Sequence, residues 1–439
     1  MENRKERVSG PEKIGSLMGL AFRNADILLP KKGTDLAKWS VIACDQFTSE
    51  PDYWDAVEKT AGDAPSTYNL ILPEAYLGAP DAGARLESIS AHMREYLDAG
   101  VFEEYKDAMV YVERTDSRGR LRTGIVGAID LEQYDYRKGS SSPVRATEAT
   151  VLERIPPRVQ IRKNAAIESP HIMILIDDRE NTVIEPLAGR DLPLLYDFDL
   201  MQDGGHLKGW LLGEKEQKEI LGALLALADP EHFEKLYGLK DEPVLLFAMG
   251  DGNHSLATAK ECWEQLKAEH PGEDLSDHPA RYALAEIVNL HSLALRFQPI
   301  HRIVTQTDPE GLMAYLTDAL GLRETGSEPS AGQFFRIVRQ DGGACYEITK
   351  PTSNLAVGSL QAALDGYLAA HEGKIDYIHG TGALEKLAAQ EGTIGFFVPA
   401  MAKEDLFPTV IRDGALPRKT FSMGHARDKR YYMECRKIR

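Results

Sequence analysis

Residues Val244–Trp263 read VLLFAMGDGNHSLATAKECW, and the six from Gly250 to Ser255 combine two glycines, a carboxylate, an amide, an imidazole and a hydroxyl. The apolar run before them reads as a strand. Leu256, Ala259, Trp263 and Leu266 then recur at i, i+3, i+7 and i+10, the apolar face of a helix. A strand–glycine turn–helix junction gathers backbone N–H groups at the positive end of the helix dipole, which suits an anion. Gly250 and Gly252 permit positive φ and close backbone approach, and Asn253 or Ser255 is placed to cap the helix. In the first turn the dipole disfavours a cation, so His254 is expected as neutral imidazole. That leaves Asp251 as a base or a Mg²⁺ ligand. The plain alternative, turn chemistry with His254 as a structural hydrogen-bonder, stays open. The stretch is not a Walker loop, because no G-x-x-x-x-G-K-[ST] is present.

Two more junctions have the same form. ACDQFTSEPDYW (43–54) puts Cys44 and Asp45 at the end of a predicted strand, with Ser49 and Asp52 spaced as a capping box. A nucleophilic Cys44 requires a histidine or a positive dipole nearby, so the residue reads first as a buried structural thiol. IDYIHGTGALEKL (375–387) places His379, Gly380, Thr381 and Gly382 on a third turn. Cations for an anionic ligand are offered by Arg145, Arg158, Arg162 and Lys163 within 142–164, interleaved with Glu148 and Glu153, and by Arg418 and Lys419 within 416–424. Neither HExxH nor CxxC occurs, so no dedicated zinc site is expected.

The elements that must position these residues alternate between strands and helices. Strands are predicted at 39–47, 108–115, 121–131, 170–177, 182–187 and 243–249, and helices at 83–98, 214–227, 255–269, 280–291, 309–320, 357–371 and 381–389. The stretch 114–124 reads as a β-hairpin turning at Ser117–Gly119. The class is therefore α/β (mixed α+β). At 439 residues the chain exceeds one ordinary core. A main domain 1–298, with a seam near 140–165, and a smaller C-terminal α/β domain 299–439 are expected. Lys plus Arg total 51 against 68 acids, a net charge of −17, which argues against a nucleic-acid partner. No apolar run reaches membrane-spanning length, the N-terminus lacks a secretory core, and the four cysteines are dispersed. A cytoplasmic protein is expected. The C-terminal RDKRYYMECRKIR alternates basic and apolar residues and reads as a solvated edge strand.

The ordered set WSVIACDQFTSEPDYW, STYNLILPEAYLG, VRATEATVLERIPPR, GDGNHSLATAK, QPIHRIV, IDYIHGTGALEKL and GALPRKTFSMG resembles the domain of unknown function 1015 family over nearly the whole chain. Some members of that family carry a ParB-like label. The family's Asp-Gly-His-His-Arg segment is similar to the phosphate-cradling segment of ParB-, sulfiredoxin- and free-serine-kinase-like proteins, which implies a ParB/sulfiredoxin-like nucleotide-binding element. Asp251, Gly252 and His254 match it; Asn253 replaces the first His, and Ser255 stands where the bidentate Arg would be. Arg145, Glu148 and Thr150 match a second family segment, with Ala146 and Thr147 departing, and Arg158, Ser169-Pro170, His301-Arg302, Pro417 and Lys419 match others.

Together these readings point to a nucleotide- or phosphate-dependent enzyme, a phosphotransferase or hydrolase acting on a small molecule. Asp251, His254 and Glu148 are its candidate catalytic groups. Gly250, Gly252, Asn253, Ser255, Arg145, Arg158 and Lys419 are candidates for binding phosphate or substrate, and Asp45 and His379 are further candidates. The implied cofactor is ATP, ADP or another nucleotide with Mg²⁺, and the partner is a small phosphorylated ligand. The alternatives are a non-catalytic nucleotide- or metabolite-binding regulator and, behind it, a ParB-like DNA-binding protein.

Overall fold

The computed structural model describes residues 19–148, 155–169, 171–340 and 342–439. Thr150, Glu153 and Pro170 lie outside the described residues, as does the charged N-terminus. The chain divides into two compact units, one of residues 1–146, 150–295 and 425–439, the other of 147–149 and 296–424. The expected C-terminal stretch 299–439 is thus not one piece, because its last fifteen residues belong to the first unit.

In the first unit a ten-stranded mixed sheet runs through the strands Leu194–Leu200, Gly205–Leu211, Val110–Thr115, Leu121–Asp130, Tyr282–Asn289, Met173–Ile176, Phe247–Asp251, Val144–Arg145 and Tyr134–Asp135, with Phe22–Arg23 added beside Leu121–Asp130. The Val110/Leu121 pair closes the predicted hairpin, and Gly119 supplies its positive φ of 77°. Met173–Ile176 is the pivot of this sheet. It runs parallel to Tyr282–Asn289 and antiparallel to Phe247–Asp251. Apolar clusters fill both faces, with Trp39, Trp54 and Val126 in one and Phe22, Ile174, Phe247 and Trp263 in the other.

The second unit is an antiparallel seven-stranded sheet in which Phe297–Thr305 pairs with Lys374–His379 and Ile394–Phe397. Helices Pro309–Leu320, Ala356–Leu368, Thr381–Ala388 and Leu406–Asp413 belong to the same unit. Both units mix helices with sheets, so the fold class is mixed α/β.

Four expected elements are replaced. Residues 280–291 form the Tyr282–Asn289 strand instead of a helix. Its Ala, Leu and Glu residues favour helix, but seven of its eight positions are buried, and a strand covered on both faces loses the alternation that would identify it. Residues 182–187 give the short 3₁₀ turn Glu185–Leu187, because the buried Asp178 carboxylate accepts the N–H groups of Thr182 and Val183. At 39–47 there is no ladder strand. Trp39 ends a short helix, and the following chain stays extended against the C-terminal tail. The helix after it begins at Pro51 behind Glu50, without the Ser49–Asp52 capping box, since proline is already set for a first helical position.

The tail itself is buried. Tyr431, Tyr432, Met433 and Cys435 are all at most 2% exposed. Trp39 Nε1 donates to the Met433 carbonyl, Ser40 Oγ to that of Tyr432 and Ala43 N to that of Arg430. Arg430 lies between two carboxylates, Nε 2.8 Å from Glu286 and Nη2 2.7 Å from Glu434. Arg122 also reaches Glu286, and Gly124 makes room for it, since a Cβ there would stand 2.5 Å from Glu286 Oε1. Removing one partner of such a pair strands a buried charge, which typically costs 3–5 kcal/mol. Glu286→Gln is therefore expected to lower unfolding stability by about 3–5 kcal/mol in urea titration; a loss under about 1 kcal/mol would refute this anchoring role.

Candidate functional site

The Phe247–Asp251 strand pairs with Met173–Ile176 through Ala248, Met249 and Asp251, skipping Gly250. Gly250 therefore serves as a bulge, not as a positive-φ turn residue. A bulge bends its strand and re-aims the next side chain. Gly252 has φ 77°, and a Cβ on it would lie 3.1 Å from the Ile172 Cα and 3.4 Å from His171 Cδ2. It thus needs both its conformational freedom and its lack of a side chain. Gly252 is the N-cap of helix Asn253–Glu269, and no side chain caps that helix. The expected caps are displaced, since Asn253 and Ser255 are its first and third residues. Asp251 turns back instead, accepting the Gly252 N–H at 3.0 Å.

Four residues that the motif reading did not select complete the site. Lys429, from the tail, lies 3.1 Å from the second oxygen of Asp251. His171, 6% exposed, holds Ser255 Oγ at 3.2 Å through Nε2 and Tyr432 Oη at 2.9 Å through Nδ1. Tyr432 Oη also accepts the Cys44 N–H at 3.1 Å. Glu74 pairs with Arg158. His171 sits just before a strand read only for its apolar residues, and Lys429 and Tyr432 lie in the tail read as solvated.

Asp45 joins this group electrostatically. Burial pushes its carboxyl up, but the charge of His171, a hydrogen bond from Gln46 and the charge of Lys429 carry it below the ordinary aspartate value. Cys44 is the opposite case. Burial and then the Asp45 charge push its thiol up to about 12, so it is not a thiolate nucleophile. Asn253 Oδ1 is buried with no hydrogen-bond partner among the described residues.

The structure brings together Asp251, Gly250, Gly252, Asn253, His254, Ser255, Asp45 and Arg158, all in the first unit. It places the other candidates elsewhere. Arg145 is 4% exposed, with its guanidinium on the carbonyls of Ser142, Pro243 and Val244, so it braces the sheet rather than facing a ligand. Glu148, Lys419 and His379 belong to the second unit. There the Glu148 carboxyl accepts the N–H groups of Lys419 and Thr420, and burial pushes it above its usual range against the charges of Lys419 and Arg302. Lys419 is exposed with φ 57°, and His379 ends the strand before the Gly380 turn.

Beside Ser255 the first unit holds a cavity of about 150 Å³. Leu70, Ile71, Leu72, Met93, Ile167 and Ile172 give it an apolar wall, and Ser255, His171 and Tyr432 form one side. Among the described residues, no group of three or more His, Cys, Asp or Glu is placed to hold a metal ion, and no helix is long and apolar enough to cross a membrane.

The chain belongs to the family described as Protein of unknown function (DUF1015), whose family model matches residues 28–367. Among curated proteins none matches it. Among solved structures, a mutant free serine kinase in complex with AMP is similar at 14% identity and TM-score 0.38, covering 71% of this chain and 92% of that one. A C-terminally truncated SbnI from Staphylococcus aureus is similar at 9% identity and TM-score 0.36, covering 68% and 82%. A conserved hypothetical protein from Pyrococcus furiosus is similar at 13% identity and TM-score 0.34, covering 68% and 90%.

The Asp45 carboxyl carries a pH signature. Because its folded pKa is depressed, its contribution to stability is present above the unfolded aspartate value, about 3.9, and is lost as pH falls through the folded value. Asp45→Asn is expected to lower the melting temperature at pH 7, with the gap to the parent protein closing as pH drops below about 4. A gap that stays constant from pH 7 to pH 3 would contradict the assignment.

Proposed function

We propose that the first unit of this DUF1015 protein binds the phosphates of a small ligand, and that the protein is a nucleotide- or phosphate-dependent enzyme, a phosphotransferase or hydrolase acting on a small molecule. The observation that carries this reading is the N-terminus of a seventeen-residue helix, without a side-chain cap, next to the Asp251–Lys429 pair. First-turn N–H groups and a lysine are the two donors that a phosphate takes in helix-terminus sites. Ser255 occupies the place of a bidentate arginine and offers a hydroxyl instead, leaving most of the charge compensation to Lys429.

Asp45 and Asp251 supply the carboxylate chemistry. Mg²⁺ is commonly held by one or two carboxylates, substrate phosphate oxygens and waters, and needs no dedicated protein cage. Two aspartates whose surroundings share Lys429 fit that donor set for a nucleotide–Mg²⁺ complex such as ATP or ADP. When bound, the ion would neutralise phosphate charge. His171 is the group placed to exchange a proton with Ser255 or with a ligand hydroxyl beside it, within 3.2 Å of Ser255 Oγ. Asn253 Oδ1 offers an acceptor for a ligand hydroxyl.

One observation favours a second reading, a regulator that binds a nucleotide or metabolite without chemistry. Asp251 already has one oxygen on Lys429 at 3.1 Å and the other on the Gly252 N–H, so both are engaged before a ligand arrives.

Calorimetric titration with ATP, ADP and pyrophosphate, each with and without Mg²⁺, separates these outcomes. Lys429→Ala is expected to weaken binding roughly tenfold or more, the usual effect of losing a charge-assisted hydrogen bond. Asp45→Asn is expected to reduce the Mg²⁺ dependence. Phosphate release from a bound nucleotide supports the enzyme, and saturable binding without turnover supports the regulator. No binding of any of the three at millimolar concentration removes both.

A further inference from the structure

We propose that the cavity behind Ser255 seats a short hydrocarbon group of the small molecule whose phosphate lies on the Gly250–Ser255 turn, so that this site takes a small aryl or alkyl phosphate ester, or the corresponding alcohol. The inference rests on the phosphate reading of that turn and names the substrate class it would serve.

The cavity and the turn share a wall. Ser255 and Thr258, from the first two turns of helix Asn253–Glu269, line the cavity, as do His171 and Ile172, against which Gly252 packs. A ligand phosphate at the helix N-terminus would therefore have its ester oxygen directed past Ser255. The size is that of one ring, since an engineered apolar cavity of about 150 Å³ in another protein stays dry and binds benzene.

The character of the lining decides against a polar occupant. Its charged groups are committed to one another, Arg158 to Glu74 and Arg162 to Glu168 at 2.7 Å. Ser169 Oγ donates to the Glu434 carbonyl, and His171, Tyr432 and Ser255 are bonded in a row. A sugar or a nucleobase placed there would bury hydrogen-bonding edges against Leu70, Leu72, Met93 and Ile167 without partners, which is unfavourable, so the ribose and base of a nucleotide held on the same turn would lie outside the cavity. A hydrocarbon group leaves no hydrogen bond unmade by entering. Its gain grows with the apolar surface removed from water until the space is full.

A graded series tests this on the intact protein: inorganic phosphate, methyl phosphate, phenyl phosphate and 4-biphenylyl phosphate, followed by calorimetry and melting temperature. Methyl phosphate is expected to bind like phosphate, phenyl phosphate at least tenfold tighter, and biphenylyl phosphate more weakly than phenyl. Ala165→Phe, which adds a ring to the cavity wall, is expected to erase the advantage of phenyl phosphate while leaving phosphate binding unchanged. Should that variant fail to fold, benzene alone provides the second readout, and it is expected to raise the melting temperature of the parent protein.

A flat series in which phosphate binds overturns the inference and leaves the phosphate reading standing. Affinity that keeps rising through biphenylyl phosphate also overturns it, because that is adsorption rather than a ring-sized seat. Stabilisation by benzene with no binding of any phosphate sinks the phosphate reading, and this assignment falls with it.

Discussion

The guanidinium of Arg430 is buried between Glu286 and Glu434, and the arrangement of the first unit depends on its being neutralised. Burial alone would push its proton affinity down; the carboxylates of Glu434 and Glu286 carry it above the ordinary arginine value. Charges in such surroundings are tolerated only when partners are placed in advance. The tail is therefore not an appendage that adheres to a finished core. It delivers one of the two cations, Arg122 being the other, that pair with Glu286 in the middle of the Tyr282–Asn289 strand. Lys429 precedes Arg430 and Tyr432 lies two residues after it, so holding Arg430 also fixes the ammonium beside Asp251 and the phenol beside His171. Stability and site geometry rest on the same pair.

The other half of the site is set by strand register. Asp251 is opposite Met173, which brings His171 and Ile172 alongside Gly252. The skipped Gly250 bends the strand there, and Gly252 allows the contact. A side chain at 252 would have to displace backbone at Ile172, so these glycines answer to packing as well as to the turn. The uncapped first-turn N–H groups and the His171–Ser255 contact are consequences of one close crossing.

Much of this was legible in the sequence. The helices at 83–98, 214–227, 309–320 and 381–389 announce themselves by apolar spacing, and each is found within a residue or two. The junction at 250–255 is legible because its residue types are unusual together. What was not legible has a common physical origin, which is dependence on a distant partner. RDKRYYMECRKIR resembles a solvated strand because its charges are visible and their buried partners, Glu168 and Glu286, are far away in sequence. WSVIACDQF resembles a ladder strand because its apolar run is real, yet its hydrogen bonds go to the tail. His171 and Lys429 carried no local signal, since neither neighbours the motif it serves. Arg145 carried a misleading one, because a basic residue near glutamates looks like a ligand-binding group when its guanidinium in fact satisfies sheet-edge carbonyls.

The charge balance of the site follows from that of the whole chain. With a net charge of −17, the protein repels anions at long range, although salt near physiological strength confines the effect to roughly 8 Å. A phosphate ligand would therefore depend on local cations, and a lone buried ammonium would be costly to hold. Asp251 resolves the conflict by pairing with Lys429 and holding it in place while its other oxygen accepts the Gly252 N–H. An arriving phosphate would share Lys429 with Asp251 instead of meeting a free cation, and the added negative charge would then favour a metal ion or a proton nearby. Asp45 is the carboxylate beside it that could hold the ion, and His171 the imidazole that could hold the proton. A serine at position 255 fits this balance, because a fixed cation there would adjoin a cavity whose other charges are already paired.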